Sequence, residues 1–374
     1  MSFTPMIRQY LEIKKQYPDA ILFFRLGDFY EMFFDDARLA SRELEITLTG
    51  RDGGAKERIP MCGIPYHASD TYIARLIAKK YRVAICEQVE DPSLAKGIVR
   101  REVTRVITPG TIMDGQLLDS KMNNYLASIA RGEEGLGLAV TDITTGQFMV
   151  NSFPEVRAEA ALLEELSRLM PAEIIVPLSE IDSFTRIINT QGTLTVNGYK
   201  DIAFEPGAAA RALENQFGPD TLKTLQTSEA RRSIPAAGAL LCFLKETQKR
   251  DLTHIREVQF CQSGQYLLLD TVTRRNLELT RSLQDGSVKN TLLSVLDYTV
   301  TAMGGRLIRN WIEQPLLDLE KIESRLAAVE ELVHKPLYRS DLKDELKQIY
   351  DLERLAGKIS YGSANARDLV ALKK

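Results

Sequence analysis

The sequence predicts a multidomain protein in which mixed α/β domains precede an all-α segment. Short strand-like runs alternate with helical runs in the first part of the chain, and a second alternation of different composition follows. From about Thr253 onward nearly every segment has a helical pattern. A chain of 374 residues is long enough for two or three domains, each with its own core. We therefore predict domains over residues 1–115, 116–252 and 253–374.

The first domain is predicted to contain two helices among five strand-like runs. Asp35 or Asp36 is placed to cap the first helix, ARLASRELE, and Ser69 or Asp70 to cap the second, SDTYIARLIAKKY. GRDGGAKERIP, residues 50–60, is Gly-rich and charged, which is typical of a loop. PMCGIPYHASD indicates a rigid turn that leads into a helix N-terminus. The strand-like runs are ILFFRL, FYEMFF, EITLTG, RVAICEQV and VTRVITPGT.

The second and third domains have different patterns. GLGLAVTDITTGQFMVNSF predicts a strand, a turn and a return strand, which the helical EVRAEAALLEELSRLM and the strand EIIVPL follow. The third domain is predicted to be helical over TVTRRNLELTRSL, NTLLSVLDYTV, TAMGGRLIRNWIEQ, LEKIESRLAAVEELV and SDLKDELKQIYDLERLAGKI. It ends at ARDLVALKK without a helix stop signal, so we expect a fragment of a longer protein.

Composition and charge exclude several classes of protein. No apolar run approaches the ~20 residues of a membrane helix, and the N-terminus lacks a secretory signal, which points to the cytoplasm. Four widely spaced cysteines and three histidines predict free thiols and no metal centre. The net charge is −3, but residues 75–105 hold eight Lys/Arg against four Asp/Glu. Such a patch can bind phosphates, although surface helices also carry charge runs of this kind.

The motifs of the common catalytic classes are missing from the sequence. GxxxxGK[ST], HExxH, GxSxG and kinase signatures do not occur. Asp142, in VTDITTGQF, occupies the position where a metal-dependent nuclease would keep its first ligand. Two-metal hydrolysis needs several converging carboxylates, and Glu173 and Asp182 follow without a spacing that marks them as partners. We therefore favour a structural turn role for Asp142 over catalysis.

The stretch GDFYEMF, residues 27–33, carries a carboxylate among apolar side chains. If it is a strand, Phe29, Glu31 and Phe33 share one face, whereas Tyr30 and Met32 share the other and face the core. One interpretation is an edge strand with an exposed phenylalanine. The other is a surface that offers an aromatic plate and a hydrogen-bond acceptor to a single ligand.

Seven motifs occur in order along the chain: FFRLGDFYEMFFDDA, IPMCGIPYHA, VAICEQVEDP, RVITPGT, DITTGQF, DTVTRRNLEL and TAMGGRLIRNWI. Together they closely resemble the N-terminal half of the MutS family of DNA mismatch-recognition proteins. The resemblance implies a mismatch-binding α/β domain, a ribonuclease-H-like connector domain without nuclease activity, and the first part of a helical core or lever domain. It also implies that this chain is not an enzyme, because the family's ATPase and dimerisation domain lies outside it.

The resemblance also implies partners, cofactors and a location. The expected partner is double-stranded DNA with mispairs or small insertion loops, bound without involvement of a membrane. A full-length protein is expected to be a homodimer, to need ATP and Mg²⁺, and to act with a MutL-type repair protein. No cofactor is expected in this chain itself. The expected location is the bacterial cytoplasm, in association with the nucleoid.

Phe29 and Glu31 match the most specific part of the resemblance. Such proteins have no base sequence to read, so they can test how easily a duplex deforms. Phe29 would enter a base step from the minor groove and stack on a base, which is worth roughly 1 to 3 kcal/mol. Glu31 would accept a hydrogen bond from thymine N3–H, but against a purine N7 it must itself carry a proton. Our hypothesis is that Glu31 repels ordinary DNA and is relieved only at a kinked mispair.

Further DNA contacts are expected at matching positions, chiefly to phosphate and sugar. Residues 274–276, Arg-Arg-Asn, are expected to be structural and to couple the state of DNA to the ATPase. For Tyr66 a packing role is an equally good interpretation. The expected backbone or groove contacts are Arg51, Met61, Tyr66, His67, Lys96 and Arg101.

Two rival functions remain open at this point. A recombination-type relative of the same superfamily would bind DNA junctions, but it would be expected to lack the Phe-x-Glu domain. A metal-dependent nuclease centred on Asp142 would cleave DNA with Mg²⁺ or Mn²⁺.

Overall fold

The chain folds into two compact units. One comprises Met1–Ile112 with Leu244–Asp251, and the other Met113–Phe243 with Leu252–Lys374. No helix in the described part of the chain is long and apolar enough to cross a membrane. The computed structural model describes residues 3–54, 58–90, 97–115, 117–132, 134–189, 194–227, 229–261 and 265–373.

The first unit is built on a six-stranded mixed sheet with the strand order β3-β4-β2-β1-β5-β6. β1 and β5 are parallel, and the other neighbouring pairs are antiparallel. Gly27 has a left-handed backbone (φ +58°) in the tight turn between β1 and β2, a conformation that glycine adopts without strain. The elements are α1 Pro5–Gln16, β1 Ala20–Leu26, β2 Phe29–Phe33, α2 Phe34–Leu44, β3 Thr49–Arg51, β4 Ile59–Pro65, α3 Ser69–Ala78, β5 Arg82–Gln88 and β6 Arg101–Ile107.

Helices cover both faces of this sheet, each for a reason visible in the sequence. Ile7, Tyr10 and Ile13 recur at helical spacing in α1, and they pack on Phe24 and Phe33 in a buried cluster. On the opposite face, α2 contributes the buried Ala37, Ala40 and Leu44, and Cys62 Sγ of β4 donates a hydrogen bond to the Ala37 carbonyl (3.4 Å). The sheet therefore lies between helices in a layered α/β arrangement.

Several predictions for this unit are wrong in detail. IPMCGIP forms the strand β4, which pairs with β3 and β2, and not a turn, and Gly50 and Arg51 of the predicted loop belong to β3. The residues before the two helices are Phe33 and Ala68, and neither helix has a side-chain cap. Asp36 instead accepts hydrogen bonds from Tyr10 Oη and Leu22 N (both 3.0 Å) and pairs with Lys14 (2.8 Å). Its carboxylate is used for tertiary contacts, which explains why it does not cap α2.

The second unit begins with another six-stranded sheet, in the order β11-β10-β7-β8-β9-β12. β7, β8 and β9 form an antiparallel meander, whereas β10 runs parallel to β7, and β11 parallel to β10. The predicted hairpin, helix and strand correspond to β8, β9, α4 and β10. The elements are β7 Leu126–Gly132, β8 Gly135–Asp142, β9 Gln147–Pro154, α4 Ala158–Leu169, β10 Glu173–Pro177, α5 Ile181–Ile188, β11 Val196–Tyr199, α6 Pro206–Phe217, α7 Pro219–Thr227, α8 Ile234–Gln248 and β12 Gln259–Phe260. The last residues of α8, 244–248, belong to the first unit.

The remainder of the second unit is helical, as predicted, but several helices are shorter than the sequence patterns. TVTRRNLELTRSL is helical only over α9, and the long final pattern divides into α13 and α14. Arg306 is almost fully buried, and its guanidinium donates to Asp351 Oδ1 (2.7 Å), Glu353 Oε2 (2.6 Å) and the Ser120 carbonyl (2.8 Å). The helices are α9 Thr271–Asn276, α10 Leu292–Leu296, α11 Ala302–Glu313, α12 Leu319–His334, α13 Pro336–Leu346, α14 Leu352–Tyr361 and α15 Ala366–Lys373.

We expect Asp36→Ala to destabilise the first unit by about 2 to 4 kcal/mol, because Lys14, Tyr10 and the Leu22 amide lose a shared buried partner. Native-state thiol labelling in increasing urea measures the free energy of unfolding of this unit. Burial raises the pKa of Cys62 and of Cys86 to about 12, so both thiols react only when the unit opens. Mass spectrometry of the labelled peptides separates them from Cys242 and Cys261. Asp35→Ala is the matched control, since that side chain is 95% exposed. Equal labelling of the two variants would contradict the assignment.

Candidate nucleic-acid interface

β2 presents Phe29 and Glu31 on the same face of the first sheet. Phe29 is 47% exposed, whereas the Glu31 side chain is only 15% exposed. Tyr30 and Met32 are buried on the opposite face, which confirms the predicted alternation. Phe33 shares the face of Phe29 but is fully buried, because it lies in the cluster with α1. The helix thus covers one end of this face and leaves an aromatic ring accessible at the other.

Arg51 lies beside Glu31 because β3, β4 and β2 are adjacent. The register pairs Arg51 with Ile59 and Glu31 with Gly63, so alternate residues of β4 bring both side chains to one face. Arg51 Nη1 donates a hydrogen bond to Glu31 Oε2 in an ion pair. The carboxylate that looked isolated in the sequence therefore has a counter-charge twenty residues away.

Gly63 is a site residue that sequence reasoning missed. It is the direct strand partner of Glu31, and a Cβ at this position would lie 3.5 Å from Glu31 Cγ and 3.9 Å from Phe29 Cδ1. The lack of a side chain leaves the space between the ring and the carboxylate open. The signal would have been the alternation Met61, Gly63, Pro65, which becomes visible once this segment is recognised as a strand.

Met61 also belongs to this face, as the strand partner of both Phe33 and Thr49. It is half-buried, and Thr49 Oγ1 donates to its carbonyl (3.1 Å). Phe29, Glu31, Arg51 and Met61 thus share one face of the sheet, but Met61 lies at the Phe33 end, packed against the cluster with α1, and not beside Phe29.

Tyr66 and His67 lie in a short 3₁₀ turn directly after β4, and both are exposed. The Tyr66 ring packs under the guanidinium of Arg25 at 3.6 Å from its centroid. Arg25 is the strand partner of Tyr30, so this stack lies on the face opposite to Phe29. The structure therefore places both residues next to the end of β2 where Phe29 lies, with the Tyr66 ring on the opposite face.

Arg25 is itself part of a small polar network. It pairs with Glu87 (3.7 Å), and Glu87 accepts a hydrogen bond from Tyr30 Oη. Burial and the bond to Glu87 raise the pKa of Tyr30, so its hydroxyl remains a donor. The network fixes the back of β2 against β1 and β5 and so holds the strand that carries Phe29.

The geometry does not favour Arg101 as a phosphate contact. Its side chain is buried and donates hydrogen bonds to the carbonyls of Arg25 (2.7 Å) and Val99 (2.9 Å) and to Gln9 Oε1 (3.1 Å). Burial lowers the pKa of Arg101, and the positive charge of Arg51 lowers it further. Lys96 lies outside the described residues.

The predicted positive excess of residues 75–105 is partly neutralised within the protein. Lys79 pairs with Glu43 (2.9 Å), and Arg75 pairs with Glu45 (3.7 Å). Exposed pairs of this kind contribute little stability, but they reduce the net charge that the surface offers to phosphates.

Asp142 has the structural role that the sequence favoured. It is fully buried at the end of β8, and its Oδ1 accepts hydrogen bonds from Thr144 N (2.9 Å) and Thr144 Oγ1 (2.7 Å). Its Oδ2 accepts from Asn123 Nδ2 (2.9 Å) and Asn124 N (3.2 Å). Within the ranges that the structure describes, no group of three or more His, Cys, Asp or Glu side chains could hold a metal ion.

Residues 274–276 lie in the short helix α9 of the second unit. Arg274 Nε donates to the Leu269 carbonyl (3.0 Å), which agrees with the structural role that we expected for it.

The fold and the site define a multidomain α/β and helical protein whose first sheet presents an aromatic side chain beside a carboxylate. Family models of three successive domains match the chain: MutS domain I over residues 4–116, MutS domain II over 124–256 and MutS domain III over 272–374. The chain belongs to the MutS family. The resemblance drawn from the sequence motifs is confirmed, whereas the three domain boundaries stay a prediction.

Curated relatives agree with this assignment. Proteins named DNA mismatch repair protein MutS from Pelotomaculum thermopropionicum, Symbiobacterium thermophilum and Desulforamulus reducens are 67%, 52% and 51% identical to the chain. The alignments cover 99%, 99% and 100% of this chain and 43% of each relative. The match to domain I includes Phe29 and Glu31, which a recombination-type relative was expected to lack.

We expect Gly63→Ile to weaken binding to mispaired duplex DNA by about tenfold or more, roughly 1.4 kcal/mol, because a branched side chain would fill the space between Phe29 and Glu31. Gly63→Ala is the matched control, since its Cβ would make only ordinary contacts at 3.5 Å. Fluorescence anisotropy with labelled duplexes measures both, and circular dichroism checks the fold. Unchanged binding by Gly63→Ile would show that DNA does not enter the space between Phe29 and Glu31.

Proposed function

We propose that this chain recognises mispaired or unpaired bases in double-stranded DNA as the sensor of mismatch repair. The single observation that carries the proposal is the exposed ring of Phe29 beside the acceptor Glu31 on a rigid strand. The names of the curated relatives support it, since each is a DNA mismatch repair protein.

In the proposed mechanism, Phe29 enters a base step from the minor groove and kinks the duplex. Unstacking a matched step costs a few kcal/mol, but a mispair has already lost part of its stacking and pairing. The same wedge therefore costs less at a mispair, and the difference gives specificity without base-sequence readout. Glu31 accepts a hydrogen bond from the base against which Phe29 stacks, which fixes that base in the opened step.

The strand pairing supports the wedge geometry in two ways. β2 is hydrogen-bonded to β1 and β4, so Phe29 projects from the end of an interior strand, where it is paired on both sides, and not from a loop. Tyr30 and Met32 anchor the strand on the opposite face. A side chain that enters a stack of bases needs this support, because a strand that is held in place deforms less than the base step does.

We also propose that the middle domain has a ribonuclease-H-like fold and no nuclease activity. An antiparallel meander, followed by strands added in parallel to its first strand, is the arrangement expected of that fold. The carboxylate of Asp142 already accepts four hydrogen bonds inside the protein, which leaves it poorly suited to a metal. In this proposal the chain is a binding module and not an enzyme.

Other activities belong to a longer protein in this proposal. The chain spans 43% of the length of its curated relatives. ATP hydrolysis with Mg²⁺, homodimerisation around DNA and action with a MutL-type protein are therefore proposed for the full-length protein, at the bacterial nucleoid in the cytoplasm. Arg51 and Met61, and at the neighbouring turn Tyr66 and His67, are proposed as backbone or groove contacts.

We expect Phe29→Ala in the full-length protein to remove most of the preference for a G·T mispair over a matched duplex. Loss of about 1 to 3 kcal/mol of stacking corresponds to a decrease of about 5- to 150-fold in the affinity ratio. The ratio is measured by competition binding at one fixed salt concentration. Val89→Ala removes a similarly exposed apolar side chain and serves as the control. An intact ratio in Phe29→Ala would refute the wedge.

We expect no cleavage when labelled DNA is incubated with this chain and Mg²⁺ or Mn²⁺. Gel analysis of the products checks this for matched and mispaired duplexes. Asp142→Asn is the informative variant, because it removes charge from the candidate ligand at nearly constant size. Cleavage by the original chain that is lost in this variant would restore the nuclease interpretation.

A further inference from the structure

The ion pair between Arg51 and Glu31 joins two residues that have separate roles in the proposed interface. Glu31 is the proposed base contact and Arg51 a proposed phosphate contact, yet in the structure the two side chains are bonded to each other. Both sit on hydrogen-bonded strands, so their backbones stay in reach of one another. A contact of either side chain with DNA therefore requires the ion pair to break, so the free energy gained from that contact is reduced by the loss of the pair.

The two carboxylate oxygens of Glu31 are in different situations. Oε2 accepts the bond from Arg51, whereas Oε1 makes no hydrogen bond to any residue that the structure describes. A base donor can therefore reach a free acceptor site first and then compete for the whole carboxylate. Arg51 is the more exposed partner, at 38% against 15% for the Glu31 side chain, so it is the one that can swing toward a phosphate.

The positive charge of Arg101 favours the ion pair between Arg51 and Glu31. The positive charge of Arg51 helps to lower the pKa of the buried Arg101, so the two cations repel each other. Glu31 is the carboxylate that ion-pairs with Arg51 there. An Arg51 side chain released by Glu31 would find its next favourable partner in a phosphate group and not further inside the protein.

Resting on the proposed function, we infer that Arg51 is a specificity-determining residue whose phosphate contact is withheld from matched DNA by its ion pair with Glu31. On matched DNA no base is available to Glu31, so the pair persists and the Arg51 charge is neutralised. At a kinked mispair the base bonds Glu31, and the guanidinium moves to the phosphate backbone of the opened step. The base contact and the backbone contact are then made together or not at all.

This inference differs from direct repulsion between Glu31 and DNA. If Glu31 only repels phosphates, Glu31→Gln tightens binding to matched DNA whether or not Arg51 is present. If Glu31 restrains Arg51, the same substitution tightens binding only when Arg51 is there to be released. One released phosphate contact steepens the plot of log affinity against log salt by about 0.9, equivalent to about threefold in affinity between 50 and 200 mM salt.

The test is a double-mutant cycle of Glu31→Gln and Arg51→Ala in the full-length protein, with matched and G·T duplexes at several salt concentrations. We expect Glu31→Gln to tighten binding to matched DNA and to steepen the salt dependence by about 0.9, so that the gain in affinity shrinks about threefold between 50 and 200 mM salt. In the Arg51→Ala background, neither change should occur. Arg51→Gln repeats the cycle with a side chain of similar length, so a fold defect specific to alanine does not decide the result.

Arg58→Ala is the matched control for loss of a positive charge from the same hairpin, since Arg58 is exposed and is not bonded to Glu31. Its effect should add independently to that of Glu31→Gln. Tightening by Glu31→Gln of equal size with and without Arg51, or no tightening at all, would overturn the inference. Phe29→Ala is measured alongside. An intact mispair preference in that variant defeats the proposed function, whereas its loss together with an additive cycle defeats only the role of Arg51.

Discussion

The register of β2 between β1 and β4 is the constraint on which the candidate interface depends. Because side chains alternate along a strand, a shift of one residue would bury Phe29 and Glu31 and expose Tyr30 and Met32. The register is fixed by burial on both faces: Phe33 under α1, and Tyr30 and Met32 on the other side. The same pairing sets Gly63 opposite Glu31 and, through β3, brings Arg51 to the carboxylate.

The position of α1 decides which part of this face remains open. Tyr10 of α1 packs edge-on against Phe24 and Phe33 and donates its hydroxyl to Asp36, which also binds Lys14 and the Leu22 amide. One buried carboxylate thus joins α1, β1 and α2. Burial and the charge of Asp36 raise the pKa of Tyr10, so the hydroxyl stays protonated and the bond persists over the usual pH range. The helix is held over Phe33 and leaves Phe29 exposed.

In the second unit, a short segment before β7 connects the sheet to the helices. Asn123 binds Asp142 at the end of β8, while Lys121 pairs with Asp297 (2.9 Å). The Ser120 and Met122 carbonyls accept from two arginines of the helical part, Arg306 (2.8 Å) and Arg354 (2.6 Å). Both arginines are buried, so each depends on these partners, and removal of one acceptor would leave a buried charge poorly satisfied. Asp142 therefore acts as a structural anchor of this connection, in a position where a nuclease would need an open carboxylate.

The sequence predicted those features that depend on local pattern and not those that depend on pairing across the chain. Alternation in FYEMF was enough for the strand and for the opposite faces of Glu31 and Met32. Pro60, Gly63 and Pro65 are turn-forming residues, so the local pattern predicts a turn where the structure has β4, which accommodates them between two partner strands. Because β4 pairs with both β2 and β3, the proximity of Arg51 to Glu31 cannot be predicted unless β4 is recognised as a strand. An unpaired Glu31 carboxylate would repel DNA, whereas a Glu31 paired with Arg51 keeps a guanidinium beside it that can move to a phosphate. A sequence prediction without β4 therefore gives the wrong electrostatics for the site as well as the wrong shape.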